Sequence, residues 1–119
     1  MADKKEKLKE LRDVFAKKRL TFDKDGFPRD TEGIYSTLYK GLEKAKVLDS
    51  EYLKNFGKIV DKLGERLSGT DYMNELSFNE CCTLMTFFLR GERMSPGHFF
   101  SRVKDGTILK LLDRAVETA

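Results

Sequence analysis

Residues 90–100, with the sequence RGERMSPGHFF, bring together the residue types that could do chemistry. Ser95 and Pro96 predict the N-cap and the first residue of a short helix, and proline has no N–H of its own. The N–H groups of Gly97 and His98 would then point outward beside two arginines, an arrangement that binds phosphate, a nucleotide or a carboxylate of a partner. The candidate anion-binding or partner-binding residues are Arg90, Glu92, Arg93, Ser95, Gly97 and His98.

A structural interpretation of the same segment competes with the binding site. Glu92 would form an ion pair with one of the two arginines across a tight corner between helices. Ser95 would only cap the next helix, and His98 would lie half-buried next to Phe99. Because corners after a core helix commonly need caps and ion pairs, the sequence favours this interpretation over a ligand site.

The chain is poor in residues that support catalysis or metal binding. His98 is the only histidine, and Cys81 and Cys82 are the only cysteines. A structural zinc ion needs several such ligands at suitable spacing, and a catalytic triad needs a nucleophile, a base and an orienting group. We therefore expect no enzyme, no metal and no cofactor. An enzyme that uses Glu92, Arg93 and His98 is the least favoured hypothesis.

The loop TFDKDGFPRDTE, residues 21–32, imitates a calcium-binding EF-hand loop in part. It departs from that pattern at Thr21, where the first ligand should be Asp, and at Arg29, which adds a positive charge. Pro28 also stands where an apolar residue normally pairs with a second loop. We interpret the segment as a solvated turn.

The two cysteines are adjacent, and a disulfide between neighbouring residues is strained. They are predicted to be small buried side chains in a protein of a reducing compartment. The chain has neither an apolar signal segment nor a run of about 18 apolar residues, so neither secretion nor membrane insertion is expected. The predicted location is the cytoplasm.

The excess of positive charge lies at the N-terminus. The net charge is +3, and the first 20 residues hold eight Lys and Arg against four Asp and Glu. Charge on a helix is usually its solvated face, but a basic helix can also bind phosphate or an acidic protein surface. The candidate basic face consists of Lys4, Lys5, Lys9, Arg12, Lys17, Lys18 and Arg19.

Apolar residues recur at helical spacing throughout the chain, and no run alternates with a period of two. We predict an all-α fold with one domain over residues 1–119, a compact bundle of five or six helices around a central apolar helix at about 77–90. Ser77 and Glu80 predict a capping box at the start of that helix, and Gly91 predicts its end. The other predicted helices are 3–20, 31–48 with Asp30 or Thr31 as cap, 49–68, a short one after Ser95, and one from Thr107.

Gly57 and Gly64 lie close to the apolar stripe of the third predicted helix. Each costs about 1 kcal/mol relative to alanine in a helix. We interpret them as positions that allow another helix to approach closely.

Residues 90–112, RGERMSPGHFFSRVKDGTILKLL, resemble the C-terminal half of a family of small uncharacterised bacterial and phage-borne domains. In that pattern a core helix ends in an Arg-x-Glu-Arg run, a glycine follows, and an acidic residue with a glycine precedes a final leucine-rich helix. Met94 stands where the pattern has an aromatic residue. The resemblance implies an all-helical fold and a setting on a mobile element.

Two hypotheses from different classes follow. The first is a small cytoplasmic, non-enzymatic protein-binding module with a protein partner. In its specific form, this module is encoded by a phage or mobile element and inhibits a host defence nuclease of the CRISPR type. The second is a sequence-tolerant protein that binds nucleic acid, a nucleotide or phosphate through the basic face and residues 90–98. The sequence leaves the oligomeric state open.

Overall fold

The computed structural model describes residues 4–119, and within them the predicted all-α fold is confirmed. A two-stranded hairpin and two short 3₁₀ turns accompany six α-helices. The helices are α1 (Lys4–Lys17), α2 (Ile34–Lys44), α3 (Tyr52–Leu63), α4 (Phe78–Met94), α5 (His98–Lys104) and α6 (Thr107–Thr118). The strands are β1 (Thr21–Phe22) and β2 (Pro28–Arg29), and the 3₁₀ turns are Gly64–Ser68 and Met73–Glu75.

Helix α4 is the centre of the bundle, as its apolar sequence predicts. The predicted capping box starts it, because Ser77 Oγ accepts from the N–H of Glu80 at 3.2 Å and Glu80 Oε1 accepts from the N–H of Ser77 at 2.9 Å. Residues 81–86, Phe88 and Leu89 are buried. Helices α3, α5 and α6 pack around α4. A helix that is buried on nearly every side is held in place by packing more than by its own propensity.

The predicted end of α4 at Gly91 is wrong, since the helix continues to Met94. Gly91 makes room for a neighbour instead: a Cβ atom there would lie 3.0 Å from Cδ2 of His98. The predicted start of the next helix at Ser95 is also wrong. Helix α5 begins at His98 after Gly97, whose φ of 94° lies in the left-handed region that glycine adopts without strain.

Helix α1 packs against α2 and α6 through Leu8, Leu11 and Phe15. The close approach in this part of the core is at Gly41 of α2, where a Cβ atom would lie 2.5 Å from Cδ1 of Leu11. The predicted role of Gly57 and Gly64 in helix packing is wrong, because no atom of another described helix lies within 4 Å of a Cβ atom built at either position.

The calcium-like loop forms the β1–β2 hairpin. Thr21 pairs with Arg29 and Phe22 with Pro28, and a two-residue strand is too short to show a period of two in the sequence. Oδ1 of Asp23 accepts from the N–H of Asp25 at 2.9 Å and of Phe27 at 3.0 Å. This carboxylate therefore holds the turn of its own hairpin.

Helices α2 and α3 are shorter than predicted. Helix α2 begins at Ile34 instead of residue 31, and its N-cap is Gly33 instead of Asp30 or Thr31. The carboxylate of Asp30 nevertheless accepts from the first N–H groups of the helix, those of Ile34 and Tyr35, at 2.5 and 3.0 Å. Helix α3 begins at Tyr52, and its last predicted turn is the 3₁₀ segment 64–68.

Across residues 4–119, no helix has the length and apolar character needed to cross a membrane.

Candidate functional site

The six residues predicted from 90–98 do not form one anion site. The carboxylate of Glu92 takes the position that an external anion would have occupied: Oε2 accepts from the N–H of Gly97 at 2.7 Å and Oε1 from the N–H of Phe99 at 2.9 Å. The N–H of His98 donates to the carbonyl oxygen of Ser95 at 3.0 Å. The predicted outward-facing donors are therefore satisfied within the chain.

The predicted ion pair of Glu92 with Arg90 or Arg93 is also wrong. Within residues 4–119, Glu92 forms no salt bridge to either arginine. The guanidinium group of Arg90 lies 5.5 Å from the ring centroid of Tyr39, and the side chain of Arg93 is exposed. Glu92 thus connects the end of α4 to the start of α5, and the two arginines take no part in this connection.

His98 lies half-buried, as predicted, between aromatic rings of α4. Its ring centroid is 5.9 Å from that of Phe87, at an interplanar angle of 89°, and 5.5 Å from that of Phe88. Gly91 allows this approach. The Nε2 atom of His98 is buried and has no hydrogen-bond partner among the described residues.

A cavity of about 280 Å³ lies between α3 and the end of α4, and we call it the α3–α4 pocket. Phe87, which stacks on Phe56 with ring centroids 3.7 Å apart, forms part of its wall. Leu53 and Met94 lie at its rim with 67% and 88% of their surface exposed. The pocket is lined by Tyr52, Leu53, Phe87, Arg90, Gly91, Met94, Ser95 and His98.

A second depression continues from this pocket along the same face. It is lined by Asp49, Ser50, Tyr52, Arg90, Arg93 and Met94. Burial raises the pKa of Asp49, but hydrogen bonds from Asn55, Thr83 and the N–H of Glu51 outweigh burial and hold this pKa below its usual value. Within residues 4–119 Asp49 forms no salt bridge with Arg90 or Arg93, so neither guanidinium group is paired with this carboxylate.

Sequence reasoning found part of this site and missed part of it. Arg90, Arg93, Ser95 and His98 all face the pocket or its continuation, whereas Glu92 and Gly97 do not. Leu53 and Met94 were missed. Leu53 falls outside the apolar stripe of α3, and Met94 replaces an expected aromatic residue. Each is thus an apolar residue at a position where the predicted core does not need one, and this could have marked it as part of a surface site.

The predicted basic face is only partly available. Arg12 Nε donates to Asp113 Oδ1 at 2.6 Å, and Lys18 Nζ donates to the carbonyl oxygen of Glu32 at 2.8 Å. Helix α1 ends at Lys17, so Lys18 and Arg19 lie beyond it. The exposed remainder comprises Lys4, Lys5, Lys9, Lys17 and Arg19, and Lys4 Nζ lies 5.7 Å from the ring centroid of Phe78.

Both cysteines are buried, free thiols, as predicted. Burial raises the pKa of Cys81 to about 12, and it raises the pKa of Cys82 to about 12 as well. A thiol that stays protonated is a poor nucleophile and a poor metal ligand. In the described part of the chain, no three His, Cys, Asp or Glu side chains converge as a metal-ligand set.

These features define a small all-α protein with a central buried helix and an apolar pocket next to two arginines, Arg90 and Arg93. The chain belongs to a family of unknown function (DUF6508), whose sequence profile matches residues 60–119. The matched region contains all of α4, α5 and α6. No curated protein and no solved structure matches the chain.

Proposed function

We propose that this chain is a small, non-enzymatic protein-binding module whose α3–α4 pocket accepts a segment of a partner protein. The observation that carries the proposal is the exposure of Leu53 and Met94 at the rim of an apolar pocket. Clustered exposed apolar side chains mark binding surfaces more often than isolated ones do. Full burial of such a side chain contributes about 1.5–3 kcal/mol.

The charge of the surrounding surface selects the kind of segment. Arg90 and Arg93 lie beside the pocket, and neither forms a salt bridge within residues 4–119. Arginine forms strong forked hydrogen bonds with carboxylates. The expected partner segment therefore inserts a large apolar side chain into the pocket and carries Asp or Glu residues next to it.

His98 lines the pocket and carries one unsatisfied polar atom. Its buried Nε2 atom lacks a hydrogen-bond partner within residues 4–119. Leaving a buried polar atom unsatisfied costs about 1–3 kcal/mol, so a segment that supplies a hydrogen bond to Nε2 recovers part of this cost. The pocket is thus specific for shape and for one polar group as well as for charge.

A peptide display library panned against the full chain tests the proposal. We expect enriched peptides with a large apolar residue flanked by acidic residues. Their affinity, measured by fluorescence polarisation, should fall about tenfold or more in Met94→Glu and in Arg93→Glu, because each change removes a contact worth more than about 1.4 kcal/mol. Val14→Glu is the matched control, since Val14 is an exposed apolar residue on α1, away from the pocket.

Enrichment of no peptide, or equal loss of affinity in the Val14 control, would overturn the proposal. The proposal covers the protein-binding class and not the narrower inhibitor of a host defence nuclease, which no contact of the described residues favours.

Nucleic-acid binding through the basic face stays a prediction. A mobility shift at low salt tests it, because such binding is strongest there.

A further inference from the structure

A further cavity shares Asp49 with the depression described above, and we call it the lysine groove. It has a volume of about 430 Å³ and runs between the start of α1, the α2–α3 loop, α3 and the start of α4. Sites for small ligands commonly have volumes of about 300–1,000 Å³. The groove is lined by Lys4, Lys46, Val47, Leu48, Asp49, Asn55, Lys58, Ile59, Phe78, Asn79, Glu80, Cys82 and Thr83.

The two carboxylates of the groove already have partners. Asp49 accepts from the N–H of Glu51 at 2.9 Å, from Asn55 Nδ2 at 2.9 Å and from Thr83 Oγ1 at 2.6 Å. Glu80 accepts from the N–H of Ser77 and forms a salt bridge of 3.2 Å with Lys62. Neither carboxylate is bonded to a lysine that lines the groove.

The three lysines of the groove have no anionic partner in the described part of the chain. Lys46 and Lys58 are exposed and form no side-chain hydrogen bond or salt bridge within residues 4–119, and Lys4 Nζ, which forms no salt bridge there either, lies 5.7 Å from the ring centroid of Phe78. With Glu80 paired to Lys62, the three ammonium groups outnumber the one remaining carboxylate of the groove, that of Asp49. The net charge around the cavity is therefore positive and attracts an anionic ligand.

Lys46 reaches the groove from a backbone conformation that is unusual for lysine. Its φ of 60° lies in the left-handed region, at the turn that follows α2, where the N–H of Val47 donates to the carbonyl oxygen of Leu42 at 3.0 Å. Glycine is the residue that usually occupies such a position, because it adopts this conformation without strain. A lysine there places a positive charge at the groove at the expense of backbone strain.

We propose that the lysine groove binds a small polyphosphate, which goes beyond the function proposed for the α3–α4 pocket. The phosphate groups would contact Lys4, Lys46 and Lys58, each as a point charge that holds phosphate oxygens. The apolar side chains of Val47, Ile59 and Phe78 line the same groove and offer a contact for an organic group. The ligand is therefore either a nucleoside triphosphate or an inorganic polyphosphate of similar length.

Titration of the full chain with ATP, and separately with tripolyphosphate, tests the proposal by ¹H–¹⁵N NMR. We expect shifts of the amide signals of residues 46–49 and 78–83 in both titrations. Tighter binding of ATP identifies a nucleotide as the ligand, and equal binding identifies inorganic polyphosphate.

The variant Lys46→Glu with Lys58→Glu should weaken ATP binding at least tenfold. Lys24→Glu with Lys40→Glu is the matched control, because it changes the net charge equally at two exposed lysines outside the groove. Arg93→Glu should bind ATP normally, so the outcome is independent of the α3–α4 pocket. If the circular dichroism spectrum shows that the doubly charge-reversed variant is unfolded, Lys46→Gln with Lys58→Gln replaces it.

Two results would overturn the proposal. One is the absence of amide shifts at millimolar ATP and tripolyphosphate. The other is an equal loss of ATP binding in the groove variant and in the matched control, because that would show diffuse electrostatic attraction instead of a site.

Discussion

The carboxylate of Glu92 accepts a hydrogen bond from the N–H of Phe99 at 2.9 Å, and this contact joins the last turn of α4 to the first turn of α5. The same carboxylate accepts from the N–H of Gly97 at 2.7 Å. The first N–H groups of a helix have no partner inside the helix, so Glu92 provides one from the preceding helix. His98 lies between these two bonded residues, which positions its ring against α4.

Glu92→Gln should lower the free energy of unfolding by about 1–3 kcal/mol, because the amide offers one acceptor oxygen where the carboxylate offers two. Urea denaturation measures this difference. Glu43→Gln is the matched control, since Glu43 is exposed on α2, and it should change the stability by less than about 0.5 kcal/mol. Equal stability of the two variants would contradict the role assigned to Glu92.

Cys81 and Cys82 should react very slowly with a thiol reagent in the folded protein. Burial raises the pKa of each thiol to about 12, so almost no thiolate is present at mildly alkaline pH, and the thiolate is the reactive form. Absorbance with Ellman's reagent measures the rate. Both thiols should react rapidly in concentrated urea, and rapid reaction of the native protein would contradict their position in the core.

Local signals explain why the core helix could be predicted from the sequence. The capping box of Ser77 and Glu80 depends on residues three positions apart, and the apolar run that follows specifies burial on all sides. The end of α4 could not be predicted in this way. Gly91 is a common signal for the end of a helix, but here its missing Cβ accommodates His98, a contact that exists only in the folded chain.

The residues of the candidate site divide in the same way into those with a local signal and those without one. The sequence identified Arg90, Arg93 and His98 because their residue types are unusual, and all three face the α3–α4 pocket or its continuation. It could not show that Glu92 turns inward, since a glutamate near two arginines predicts an ion pair. Leu53 and Met94 come from different helices, and only the packing of α3 against α4 brings them to one rim.

Asp49 should make the stability of the protein depend on acidic pH. Burial raises the pKa of Asp49, but hydrogen bonds from Asn55, Thr83 and Glu51 outweigh it and lower this pKa below the usual value. A carboxyl group whose pKa is lower in the folded than in the unfolded chain stabilises the fold above the unfolded pKa. That stabilisation is lost as the pH falls through the folded pKa.

Asp49→Asn should therefore be less stable than the natural chain at neutral pH, by about 1–2 kcal/mol, and should lose less of its stability at a pH of about 3. Urea denaturation at both pH values measures the difference. Asp61→Asn is the control, because Asp61 is exposed on the same helix as Asn55. A pH dependence that is the same in the natural chain and in both variants would show that Asp49 does not contribute.

His98→Phe should separate the role of His98 in folding from its role in binding. The ring of phenylalanine keeps the contacts with Phe87 and Phe88, removes the unsatisfied Nε2 atom, and has room in the adjoining cavity of about 280 Å³. Replacing a buried polar atom that lacks a partner with an apolar group of similar shape is nearly neutral or stabilising. The thermal midpoint should therefore be equal to or higher than that of the natural chain.

The affinity of the same variant for peptides selected on the α3–α4 pocket should nevertheless fall about tenfold, which corresponds to the loss of one hydrogen bond worth about 1.4 kcal/mol. His98→Ala is the comparison that removes the ring as well, and it should lower both the stability and the affinity. If the phenylalanine substitution left the affinity unchanged, Nε2 would make no hydrogen bond to the bound segment. Recognition would then depend on the apolar rim and the two arginines alone.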